Sequence, residues 1–237
     1  MAIYTIDESQ SKAAKVVGFT YLFALVTANF AEFYVRGHLI VAGNAAQTAR
    51  NIMAQETLFR LGITSDLITY AADVVLLVAL YVILKPINPS LALLAAFWRL
   101  VETSIFIASS LVDFDALRAL GTDDYLRGFG TDQLQVLARL SIGAHGAEYI
   151  VGLMFFGLGS TVFSYLWFKS RYIPRALAAW GVFSSSLVAA CSFVIIIFPG
   201  FADIATPGFL VPIAIFELTM GFWLLIKGLR PAEIGWA

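Results

Sequence analysis

The sequence predicts an all-α fold, a polytopic membrane bundle of about six transmembrane helices with both termini on the cytoplasmic side. Three observations predict it. Hydrophobic residues make up 60% of the 237 positions and charged residues only 13%, against about a quarter charged in soluble domains; mean hydropathy is +0.84. Apolar runs recur at lengths that, at ~1.5 Å per residue, match a hydrocarbon core of ~30 Å. The lysines lie only at alternate connections between those runs.

The first span is expected from about Lys15 to Val35. It follows an acidic, polar N-terminus, Ile6-Asp-Glu-Ser-Gln, and its length is that of a full span rather than a signal peptide. The second rises near Leu61 and ends at Lys85-Pro86. The third, Leu91 to Val112, follows after a short Pro-Ile-Asn-Pro-Ser connection, so the two form an antiparallel hairpin. The fourth begins wet near Gln133, turns continuously apolar after Glu148 and ends at Phe168. Spans five (Leu177 to Phe198) and six (Phe209 to Ile226) complete the set, the last stopped by Gly228 and Pro231.

Lys12, Lys15, Lys85, Lys169, Arg171, Arg175, Lys227 and Arg230 fall before span one, between two and three, between four and five, and after six. With an even number of spans these places share one side, and the excess of cations marks it as cytoplasmic. The expected location is the plasma (inner) membrane. The other side holds Asp113, Asp115, Asp123, Asp124, Asp132 and Asp203. Residues 1–237 are expected to form one transmembrane domain, with short amphipathic helices on the outer side around 44–58, capped by Asn44, and around 131–140 after the polar turn region Gly121 to Gly130.

Composition also excludes. Fifteen Lys and Arg balance sixteen Asp and Glu with no basic tail, so nucleic acid is not an expected partner. Membrane lipids are, and other membrane subunits are a further expectation. One cysteine, Cys191, rules out a disulfide framework or a thiolate metal site. No metal is expected, since only His38 and His145 are available and a His145, Glu148, Glu32, Asp66 set is weaker than ordinary hydrogen bonding between helices. The same two histidines are badly placed for haem, and no lysine lies in a span to form a Schiff base. No motif identifies a cofactor, a serine-hydrolase elbow or a phosphate loop. The small residues Ser184-Ser-Ser-Leu-Val-Ala-Ala-Cys-Ser read as close helix packing. The two halves of the chain show no repeat of the kind transporters carry.

The stretches Lys12-Ala-Ala-Lys-Val-Val-Gly-Phe-Thr-Tyr-Leu, Arg36-Gly-His-Leu-Ile-Val-Ala-Gly-Asn-Ala-Ala-Gln-Thr-Ala-Arg-Asn-Ile, Leu58-Phe-Arg-Leu-Gly-Ile-Thr-Ser-Asp-Leu and Ser170-Arg-Tyr-Ile-Pro-Arg-Ala-Leu stand out. They resemble a bacterial membrane protein family, the domain of unknown function 4386. Glu217 stands where that family tends to carry an acid, while Asn44 replaces an expected aspartate and Lys12 a small residue. The resemblance implies the membrane topology and no particular chemistry.

Charged side chains within a span are costly and mark candidate sites. The hairpin register places Asp73 level with Glu102 and close to Arg99, about mid-bilayer, with Glu217 at similar depth on its own helix. Three acids then face one base, and the surplus carboxylates must be protonated, hydrated or bound to a cation. An Arg-carboxylate clamp that fixes helix packing is the favoured reading of this group, a transport or catalytic role the alternative. A second polar group lies near the outer boundary: Glu32 and Arg36, Glu56 and Arg60, Asp66, Arg139, His145 and Glu148. The two i,i+4 pairs read as solvated or interfacial. Glu32, Asp66, His145 and Glu148 are the candidate binding residues.

Three functions are consistent with this pattern: a protein binding a lipid-like or small polar ligand in an outward-facing polar cavity, which the acidic surplus favours; an accessory or structural subunit of a larger membrane complex; and an intramembrane enzyme or proton-coupled carrier built on Asp73, Arg99, Glu102 and Glu217. No catalytic residue is assigned.

Overall fold

Short polar side chains set where the helices begin. In the computed structural model, which describes residues 6–41, 43–121 and 130–231, the Asp7 carboxylate accepts from the Gln10 N–H at 2.7 Å while the Gln10 side chain accepts from the Asp7 N–H at 3.1 Å. That reciprocal capping box opens α1 (Glu8–Asn29). The chain then widens into a π-helical segment, Phe30–Arg36, closed by the Gly37 N–H on the Glu32 carbonyl, and ends in the single turn α2 (Gly37–Leu39). Asn44 caps α3 (Ala45–Ala54), its side chain accepting from the Gln47 N–H at 2.9 Å, as the sequence suggests.

Gln55 breaks the path before α4 (Glu56–Leu84). Asn88 then caps α5 (Pro89–Leu120), accepting from the Leu91 N–H at 3.0 Å, and Pro89 stands at the first helical position, where its missing N–H costs nothing. Next come α6 (Thr131–Ser170), α7 (Arg175–Ile197), a 3₁₀ turn at Pro199–Phe201 and α8 (Ala202–Ile226). Helix α8 begins earlier than the apolar run at Phe209 suggests and continues through Pro207 and Pro212, which membrane helices tolerate because neighbours re-satisfy the freed carbonyls.

Among the described residues there are six helices long and apolar enough to cross a membrane, and the sixfold count agrees with the sequence. Several are longer than a span. Helix α5 has 32 residues and α6 has 40, the latter ~60 Å of helix against a hydrocarbon core of ~30 Å. Residues 131–140 are therefore not a separate short helix but the first turns of α6. No proline interrupts α6, and Gly143 and Gly146, at ~1 kcal/mol each, are too weak to end the helix. Asp123 and Asp124, in the expected turn region, lie outside the described residues.

The chain divides into two compact units: residues up to Leu25 with 72–103 and 150 onward, and residues 26–71 with 104–149. In the first, small residues allow helices to touch. A Cβ at Gly157 would strike the Ala189 backbone, and one at Gly18 would come within 2.8 Å of the Gly221 carbonyl. Ser184, Ser185 and Ser192 are fully buried on α7, in keeping with the packing role read from their run. At the lysine-bearing end, buried Gln10 donates to the Ile83 carbonyl at 3.1 Å, and the Arg230 N–H donates to the carbonyl of buried Tyr172 at 2.8 Å.

The second unit has its own apolar core of Val35, Leu39, Ile52, Phe59, Ile63 and Leu117. Helix α3 is fastened to it by the Asn51 side chain, which donates to the Leu39 carbonyl at 3.2 Å, and by Thr48, whose hydroxyl accepts from the Val41 N–H at 2.9 Å. Thr48, Ala49 and Ile52 face inward while Arg50, Met53 and Ala54 face out.

Candidate functional site

Among the described residues each unit encloses one buried arginine. In the second unit Arg36 occupies the last position of the π segment, a distortion that recurs at functional sites because it turns the following side chain off the regular helix face. One terminal nitrogen, Nη2, reaches Asp66 of α4 at 2.6 Å and Asp113 of α5 at 2.8 Å. That NH₂ group has two hydrogens, one for each carboxylate. All three side chains are buried, whereas Glu32, 3.5 Å from Nη1, is half-exposed. In the Glu32–Arg36 pair, read from its spacing as solvated or interfacial, only the acid is exposed: the arginine has turned inward to two aspartates. The field of this centre extends to Tyr70, which belongs to an aromatic row with Phe106 and Tyr149, successive ring centroids 5.6 Å apart.

Measured along its helix, Asp66 lies 18 residues before the end of α4 at Leu84 and Asp113 lies 24 after the start of α5 at Pro89. At 1.5 Å per residue these are ~27 and ~36 Å from the lysine-bearing end, near the far boundary of a ~30 Å hydrocarbon layer. The opposing solvent there lowers the cost of the buried charges.

In the first unit Arg99 is ten residues into α5 and Asp73 eleven before the end of α4, both at mid-layer by the same rise. Arg99 is 4% exposed and Glu102 2%. Arg99 Nε stands 3.1 Å from Glu102 Oε2 on the same helix, yet that buried oxygen receives no aligned hydrogen bond, as expected where i,i+3 spacing brings charges together without lining up donor and acceptor. The guanidinium also donates to Ser160 at 3.3 Å and lies 4.2 Å from the centroid of Phe156, a cation–π contact. Gly159 makes this approach possible, since a Cβ there would meet the Arg99 side chain at 2.7 Å. Asp73, Glu102, Glu217 and the Tyr21 hydroxyl all lie within Coulombic range of Arg99. The four residues read from the sequence as an inner group are therefore brought together, with Tyr21, Phe156 and Ser160 added. Asp73 and Glu217 make no direct ion pair among the described residues.

The candidate binding residues fare differently. Asp66 is engaged by Arg36. Glu32 is exposed at the edge of that centre. Glu148 is half-buried, its shielded Oε2 without a hydrogen-bond partner among the described residues. His145 lies on α6, but its side chain and that of Arg139 are outside the described residues. In the same unit a cleft of about 330 Å³ is lined by Met53, Phe114 and Leu117 and by Glu56, Arg60 and Arg118. The Glu56–Arg60 pair, 2.7 Å, is exposed, as the sequence reading has it. No group of three or more His, Cys, Asp or Glu side chains is disposed to hold a metal among the described residues.

Asp113 is the residue that sequence reasoning missed. It lies one position past the expected end of span three, yet continues a stripe of buried small and polar residues on α5: Arg99, Glu102, Thr103, Phe106, Ser109, Ser110 and Asp113. That three-and-four spacing was the available signal.

Six long apolar helices around buried charge define a multi-pass α-helical membrane protein. Within that class the chain belongs to the family described as domain of unknown function 4386, whose model matches residues 16–228. It is similar to an uncharacterized protein of Archaeoglobus fulgidus, 25% identical over 166 residues that cover 68% of this chain and 80% of the relative. No solved structure matches it.

Proposed function

We propose that the chain is a ligand-binding protein of the plasma (inner) membrane, with both termini cytoplasmic, whose second unit takes up a small amphiphile carrying negative charge from the outer side. The orientation rests on the eight cations at alternate connections. The observation that carries the ligand is the cleft of about 330 Å³, lined by Met53, Phe114 and Leu117 together with Arg60 and Arg118. Among the described residues each arginine is paired with an exposed acid, Glu56 at 2.7 Å and Asp115 at 3.3 Å. Exposed pairs are worth ~0.2–1 kcal/mol, so an incoming anion displaces them at little cost. Glu148, whose shielded oxygen has no hydrogen-bond partner among the described residues, is the sequence-derived candidate best suited to accept a ligand donor, and Glu32, Asp66 and His145 remain the other candidate binding residues.

The test is native mass spectrometry and thermal shift on the purified chain with phosphatidylglycerol and with phosphatidylcholine. Retention of the anionic lipid, reduced about tenfold, or ~1.4 kcal/mol, by Arg60→Gln with Arg118→Gln, supports the reading. Equal response to both lipids, or none, contradicts it.

A further inference from the structure

We propose that the Arg99 centre is an exchangeable proton-binding site within the membrane. One guanidinium contacts the carboxylate of Glu102 and has those of Asp73 and Glu217 in its field. With all of them ionised the centre would carry two uncompensated negative charges at mid-layer, where isolated charge is sustained only by pairing, water or neutralisation. Pairing is used up: the guanidinium contacts Glu102, Ser160 and Phe156, and neither Asp73 nor Glu217 forms a direct ion pair among the described residues. Among the described residues the acids are not disposed as metal ligands. Asp73 and Glu102 are buried from solvent, and protons are assigned as the compensating charge.

A second feature is independent of that charge count. Glu102 is 2% exposed and its Oε2 receives no hydrogen bond, so the centre has a buried acceptor that a neighbouring acid proton would satisfy. Every element that contributes a charged or titratable group is accounted for: Tyr21 from α1, Asp73 from α4, Arg99 and Glu102 from α5, and Glu217 from α8. The exchange is balanced. Each surplus carboxylic acid releases one proton to solvent and becomes a carboxylate, Arg99 keeps its own proton, and no bond between heavy atoms changes. The site stands on the first unit alone and does not depend on the ligand cleft.

Difference infrared spectroscopy of the full-length purified chain tests it. At neutral pH the carboxylic-acid C=O stretch is expected to be present, to shift on transfer to D₂O and to fade as pH is raised. Asp73→Asn and Glu217→Gln should each remove part of it, with folding checked by size-exclusion profile. If Glu102→Gln fails to fold, those two variants still decide. Absence of the acid band, a band unchanged in D₂O, a band undiminished in both variants, or carboxylate bands that respond to sodium against potassium but not to pH would each overturn the proposal.

Discussion

Arg36 and Arg99 are both buried guanidinium groups among acids, yet the two centres are assembled on different principles. Arg36 reaches across helices and gives one nitrogen to two aspartates, at 2.6 and 2.8 Å, from α4 and α5. Arg99 meets a glutamate of its own helix at 3.1 Å and is held by a hydroxyl and a ring, while Asp73 and Glu217 stay in its field without touching it. The first arrangement fixes where three chain segments stand and uses its carboxylates in doing so. The second leaves acidic capacity over. Residue types alone therefore do not separate a clamp from a site; what separates them is whether the acids are matched in contact.

The comparison can be broken by removing each arginine. Arg36→Met strands two aspartates and should cost about 3–5 kcal/mol, the usual penalty for breaking a buried pair, read as loss of folded protein in detergent denaturation. Adding Asp66→Asn and Asp113→Asn should recover most of it. Arg99→Met should cost less, about 1–3 kcal/mol, because carboxyl groups that already hold protons need no cation. Equal losses would erase the distinction between the centres.

Gly159→Ala sharpens the contrast from the packing side. Its Cβ presses on the Arg99 side chain and, at 2.9 Å, on the Ala95 carbonyl, so overpacking of about 1–3 kcal/mol is expected, with the infrared acid bands shifted as well. Asn44→Ala removes the cap of α3 in the other unit and should cost about 1 kcal/mol, seen as faster amide exchange over Ala45–Ala54 with the acid bands unchanged. Smallest in stability is Arg60→Gln, about 0.5 kcal/mol or less by thermal melting, since its pair with Glu56 is exposed.

Most of the fold was legible because apolar length and cation placement are properties of the sequence alone. So was the Arg99 centre: a short hairpin connection sets the register of α4 against α5, and counting residues from Pro86 pairs Asp73 with Glu102. The Arg36 centre was not legible. Its arginine is placed by a π-helical segment, whose extra residue per turn is a local departure that no hydrophobic period announces, and its second acid lies beyond the point where α5 stops looking apolar. Helix α5 continues because Phe114, Leu117 and Leu120 still pack against the core of the second unit, an example of tertiary contact extending a helix past its lipid-facing length. The wet beginning of the fourth span near Gln133 was legible, and the short helix expected around 131–140 is its first turns, continuous with the rest of α6.

All of these depths follow from a six-span path with the lysines on one side, and cysteine labelling in intact spheroplasts tests it most directly. With Cys191 replaced by serine, a cysteine at Lys169 should react with an impermeant maleimide only after lysis, and one at Arg50 should react before it. Labelling of position 169 from outside, or protection of position 50, would contradict the placement of the Arg99 centre within the bilayer and of the Arg36 centre at its outer edge.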